Sequence, residues 1–94
     1  MRNLTQVRRD IDDCDSQLIR LLAKRQTLVE EAGWLKPKND EQAIQASDRV
    51  AQILERCRQQ AVDVGLSPDV AEAIWRAMID AFITLERRAN NGND

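Results

Sequence analysis

From Thr5 to Glu31 the chain carries neither Gly nor Pro, and its apolar residues return at the helical interval. Leu4, Val7, Ile11, Cys14, Leu18, Leu21, Leu22, Leu28, Val29, Ala32 and Leu35 are spaced mostly by three and four. That period puts them on one face of an α-helix. Thr5 is the expected N-cap, and Asp10, Asp12, Asp13 and Asp15 load the early turns with acid, which the helix dipole favours there. Gly33 is the one interior blemish, and Pro37 pushes Lys36 out of helical geometry and ends the element. About 32 residues at 1.5 Å each span about 48 Å.

The rest of the chain is too short to cover such a helix. Residues 37–46 read as a polar connector. Ser47 or Asp48 then caps a second helix carrying Val50, Ile53, Leu54, Cys57, Ala61 and Val64, closed by Gly65. Ser67 and Pro68 supply an N-cap and first helical position for a third, which carries Val70, Ile74, Ala77, Met78, Ala81, Phe82 and Leu85. Residues 89–94 are Asn-rich and read as a frayed, disordered tail. The two later helices reach about 27–30 Å each. Nothing between Thr5 and Glu31 gives cause for a break in the first. The expectation is therefore one all-α domain over 1–94, with one long and two shorter helices, completed by a C2 homodimer in which the long helices cross.

Composition narrows the chemistry. There is no His, which removes the commonest general base and zinc ligand, and two Cys cannot make a four-thiolate site. No metal and no cofactor is expected. A net charge of −2 leaves no electrostatic footprint for non-specific nucleic-acid binding. No stretch approaches the length of a membrane span, and the first ten residues lack an apolar secretory core. The expected setting is a reducing cytoplasm, with Cys14 and Cys57 as buried free thiols. Trp34 and Trp75 are expected to pack rather than to serve as ligand platforms.

The cations on the first helix are the informative polar feature. Arg25 sits between Leu22 and Leu28, and Lys36 follows Leu35. Eleven positions separate the two, which places them about 20° apart around the helix and about 16 Å apart along it. Two long side chains reaching inward leave a gap suited to a small anion. Arg8 lies about 25 Å before Arg25 and about 100° round the helix, so it cannot share a small ligand with Arg25 in the same straight helix. In an antiparallel dimer it can enter the partner's site. Taken one at a time, Arg8, Arg25, Lys36, Arg49 and Glu86 are each more often structural than catalytic, because Lys and Arg on amphipathic helices usually form a solvated face. Periodicity alone reaches a cytosolic helical oligomer with an anion site.

Val7 to Arg25, reading VRRDIDDCDSQLIRLLAKR, followed eleven residues later by Lys36, resembles the all-helical, type II chorismate mutase family. Ser47-Asp48-Arg49-Val50, Gly65-Leu66-Ser67-Pro68, Ile74–Ile79 and Phe82–Glu86 fit the same pattern, and the likeness covers roughly residues 4–88. The resemblance implies an intertwined homodimer with two equivalent sites, each receiving Arg8 from the other subunit. It implies carboxylate clamps at Arg8 and Arg25, with Lys36 on the substrate's ether oxygen and one carboxylate. Arg49 then lines the site, and Glu86 is the second donor to the ether oxygen. The implied reaction, chorismate to prephenate in aromatic amino-acid biosynthesis, is pericyclic. It needs orientation of a dianion and donors aimed at the oxygen where charge grows, not a nucleophile or base.

Two positions depart from the usual mutase pattern. Many bacterial members carry Gln where this chain has Glu86, and a carboxyl group donates only when protonated. Activity is therefore expected to fall as pH rises, and Glu86→Gln to flatten the profile. Val50 stands where the usual mutase has a Glu that binds the ring hydroxyl. An apolar residue there resembles the isochorismate pyruvate-lyase branch, which makes salicylate and pyruvate. A 4-amino-4-deoxychorismate mutase and a non-catalytic helical interaction domain are the further alternatives.

Overall fold

Asn3, two residues ahead of Thr5, caps the first helix. Its side chain accepts from the Gln6 backbone N–H, and the Gln6 side chain accepts from the Asn3 N–H. That reciprocal pair selects Asn3 among the capping residues nearby. The structure, a computed structural model, describes residues 1–92. From Asn3 the helix α1 (Leu4–Leu35) runs unbroken for 32 residues, as the absence of a breaker predicts. Lys36 follows in extended geometry ahead of Pro37.

The connector is not structureless. It contains a short helix α2 (Glu41–Gln45), capped by the Asp40 side chain on the Ala43 N–H and anchored by Ile44, which is 3% exposed. Ala46 then turns the chain in the left-handed region, at φ 39°, directly into α3 (Ser47–Val64). Neither Ser47 nor Asp48 caps α3; both already lie inside it, because the left-handed Ala46 makes the turn. Gly65, at φ 81°, ends α3 as expected, and Ser67 caps α4 (Pro68–Asn91) on the Val70 N–H.

Helix α4 is longer than its apolar pattern implies. The expected disordered tail begins at Ala89, yet Ala89 and Asn90 are helical and buried against the C-terminal end of α1, and Gly92 closes the helix. Asn93 and Asp94, the remainder of that tail, lie outside the described residues.

The central element is α4, which packs on α1, α2 and α3. Among the described residues the buried apolar set is Ile44, Leu54, Ala61, Ala71, Ile79 and Ala89, a thin core for a chain of this size. At the turn between α3 and α4, Arg58 pairs with Asp69 and Glu72. Every residue of α1 from Leu4 to Leu21 is exposed, and the chain extends 55 Å along its longest axis. Cys14, expected to be buried, is on this bare stretch, and Cys57 is half-buried. Trp34 packs on little, being 66% exposed, whereas Trp75 is half-buried. Among the described residues no helix is long and apolar enough to cross a membrane.

Candidate active site

All four helices border a cavity of about 300 Å³ at the end of the molecule where α1 terminates. Helix α1 lends Arg25, and Lys36 stands just past its end, eleven residues on, with Leu28, Val29 and Ala32 between them. Arg49, Val50 and Ile53 face it from α3, and Ile79, Phe82, Ile83 and Glu86 from α4. Ile44, Gln45 and Ala46 border it on the α2 side.

The charges are unevenly satisfied. The Arg25 guanidinium carbon lies 4.7 Å from the centroid of the Phe82 ring, a cation–π contact that fixes the plane of the fork. Its Nη1 is buried and, among the described residues, has no hydrogen-bond partner. Burial pulls the Arg25 pKa below its ordinary value; nearby Cys57 raises it, and Arg49 lowers it again. A partly desolvated cation beside another cation is the setting that an incoming anion relieves. Burial in turn pushes the Cys57 thiol up, opposed by Arg56 and Arg25.

Lys36 Nζ donates to Glu86 Oε2 at 2.5 Å, and Glu86 is 8% exposed. One turn earlier α1 and α4 touch almost backbone to backbone. A Cβ built on Gly33 would stand 3.0 Å from the Glu86 carbonyl oxygen and 3.1 Å from its Cγ. Gly33 is thus the residue that lets the two helices meet, and the meeting sets Lys36 against Glu86.

Of the residues singled out in sequence, Arg25, Lys36, Arg49, Val50 and Glu86 border this one cavity. Arg8 does not; it is exposed on α1, about 25 Å of helix before Arg25. Phe82 went unassigned to the site, although its spacing of four from Glu86 places both on one face of α4. The contribution of α2 had no periodicity to reveal it. A second cleft, lined by Cys57, Ala61, Val64, Leu66, Ala71 and Trp75 among others, is mostly apolar and gathers no cations. The first cavity combines apolar walls with two guanidiniums, an ammonium and one carboxyl group, which suits a small polyanion.

The sequence model of a family described as chorismate mutase type II matches residues 7–87. A T-protein from Enterobacter agglomerans is 36% identical over 83 residues, which make up 88% of this chain and 22% of that protein. The chain therefore spans about a fifth of the length of that relative. No solved structure matches.

Proposed function

This chain belongs to the chorismate mutase type II family, and on that footing we propose that it converts chorismate to prephenate in the cavity between α1, α3 and α4. The observation that carries the reading is Arg25, whose buried Nη1 has no hydrogen-bond partner among the described residues and which lines the same cavity as Arg49 and the Lys36–Glu86 pair. An unpaired buried donor of full charge is costly to keep without a ligand. A substrate carboxylate supplies the missing acceptors, and the guanidinium fork suits it bidentately.

The reaction breaks one carbon–oxygen bond and makes one carbon–carbon bond within a single molecule, with no proton transferred and no leaving group released. Arg25 and Arg49 hold the dianion folded, with the two reacting ends together. Leu28, Val29, Ile53 and Ile83 wall the cavity and lower the local polarity, which strengthens those contacts. Negative charge grows on the ether oxygen as its bond lengthens. Lys36 Nζ and a protonated Glu86 donate to that oxygen, stabilising the transition state more than the substrate. No cofactor enters this scheme.

The site is completed by a second copy of the chain, whose Arg8 closes the open side. Support comes from the bare half of α1: Leu4, Ile11, Leu18 and Leu21 are each more than half exposed. Full burial of side chains of that size stabilises by about 1.5–3 kcal/mol each.

Val50 on the cavity wall favours a second reading, isochorismate pyruvate-lyase, because it offers no polar partner for a ring hydroxyl. One experiment separates these readings. Purified protein is given chorismate and isochorismate in turn, and the products are identified. Prephenate from chorismate supports the mutase; salicylate with pyruvate from isochorismate supports the lyase. Turnover of neither, with no binding of either dianion, returns the chain to a non-catalytic helical role.

A further inference from the structure

The C-terminal end of α1 has a defect written into its sequence. In a continuing helix the Gly33 carbonyl would accept from the N–H of residue 37, but that residue is proline and has none. The missing donor arrives from α4. Asn90 Nδ2 donates to the Gly33 carbonyl at 2.9 Å, and shares its two hydrogens with the carbonyls of Pro37 at 3.0 Å and Lys36 at 3.2 Å. Its Oδ1 accepts from the Asn39 N–H at 2.8 Å. Asn90 is 2% exposed, so all of its polar capacity is spent on this one stretch of backbone.

Two features make this more than a helix cap. The bonds fall on both sides of Lys36 and on Lys36 itself, so they fix the direction in which its side chain leaves the backbone. Asn90 also stands one turn after Glu86 on the same helix. One rigid element therefore carries both the carboxyl group that Lys36 meets and the amide that holds the Lys36 backbone. We infer that Asn90 is a positioning residue, which aims the Lys36 ammonium at Glu86 and at the reacting oxygen by clamping backbone from Gly33 to Asn39. Asn meets the geometry with both ends of its amide: Asp could accept from Asn39 but would face three carbonyls without a donor, and an apolar residue would leave the Gly33 and Lys36 carbonyls and the Asn39 N–H without this partner, the Pro37 carbonyl keeping only the Asp40 N–H. The inference rests on the proposed activity for its kinetic consequence, but not for its structural one.

The test uses the whole chain in two measurements. Protein labelled at lysine Cε gives three lysine signals, from Lys24, Lys36 and Lys38, with Lys36 assigned by its response to Glu86→Gln. Asn90→Ala is expected to move the Lys36 signal toward the other two and leave those unmoved. In kinetics, Asn90→Ala is expected to lower kcat/KM for chorismate by about ten- to a hundredfold in the otherwise native chain, and by less than about twofold when Lys36 is already Ala. An unmoved Lys36 signal, or equal losses in both backgrounds, overturns the inference and leaves Asn90 as a purely structural cap. Should Asn90→Ala not fold, Asn90→Ser, which keeps one donor and one acceptor, takes its place; failure of both to fold also assigns Asn90 to stability alone. Absence of any chorismate turnover by the native chain sinks the proposed activity, while the lysine signal still decides this point.

Discussion

Gly33→Ala sets two effects of opposite sign against each other at one atom. In an isolated helix the change is favourable by about 1 kcal/mol, because Gly has the larger backbone entropy to lose. Here the new methyl would lie 3.0 Å from the Glu86 carbonyl oxygen, 3.1 Å from Glu86 Cγ and 3.4 Å from Ala89 Cβ. Unstrained carbon contacts lie at about 3.5–4.0 Å, so relief requires a shift of about 0.5 Å. The nearest atom is helical backbone and cannot rotate away, and the Glu86 side chain is held by Lys36. Over-packing of this kind costs about 1–3 kcal/mol, which outweighs the propensity gain and leaves a net loss of about 1 kcal/mol. A loss of that size keeps nearly every molecule folded. Turnover should nevertheless drop by about tenfold or more, because the added width separates the helices that carry Lys36 and Glu86. Urea unfolding at matched protein concentration gives the first quantity, and kcat/KM of the folded protein the second. A variant about 1 kcal/mol more stable than the native chain, with unchanged turnover, would refute backbone contact between α1 and α4 at Gly33.

Three further outcomes are expected. Glu86 meets Lys36 Nζ in the cavity, so Glu86→Ala, which removes that group, should lower kcat by about a hundredfold, whereas Glu86→Gln, whose amide can donate, should retain most of the turnover; equal kcat in Glu86→Ala and the native chain removes Glu86 from the donor role. The bidentate hydrogen bond from Arg87, helped by Gln45, holds the Glu41 carboxyl below its ordinary value. Such a carboxylate stabilises α2 above the ordinary glutamate range and loses that contribution as pH falls through its lowered value. Amide protection in α2 should therefore weaken with acid in the native chain and be low at every pH in Arg87→Ala; unchanged protection in that variant dismisses the latch. Finally, Arg8→Ala and Arg25→Ala should each be nearly inactive alone. Mixed at equal amounts and allowed to exchange subunits, they should regain about a quarter of native activity, since half the dimers are mixed and each mixed dimer holds one intact site. No recovery on mixing contradicts a site shared between copies.

The long helix and the two cations on it were legible because both depend on a single period. Eleven residues are close to three full turns, and no tertiary information is needed to see that Arg25 and Lys36 share a side of α1. The all-α class followed from the same pattern. What escaped is local and non-periodic. Helix α2 has five residues, too few for a stripe, and is held by the Asp40 cap and the buried Ile44. Gly33 reads as a flaw in a helix until α4 is laid against it. Asn90 reads as part of a polar tail, because the reason for its burial is a missing N–H at Pro37, fifty-three residues earlier. Cys14 is exposed because it lies on the bare part of α1, where the apolar period demands cover that one chain does not provide.

Charge in the cavity explains why two arginines and a pre-formed ion pair stand together. Arg25, Arg49 and Lys36 against an ionised Glu86 leave two positive charges unmatched, which is the charge of the proposed substrate with sign reversed. The Lys36–Glu86 pair thus needs no carboxylate from the ligand to be neutral, and the two guanidiniums remain for its two carboxylates. In the proposed dimer, the partner's Arg8 is then surplus to electroneutrality. Its proposed part is to close the cavity and strengthen every field inside by excluding water, while the second copy covers the apolar half of α1. One helix, α4, therefore carries the carboxyl group that balances Lys36 and that, in the proposed reaction, stands beside the ether oxygen.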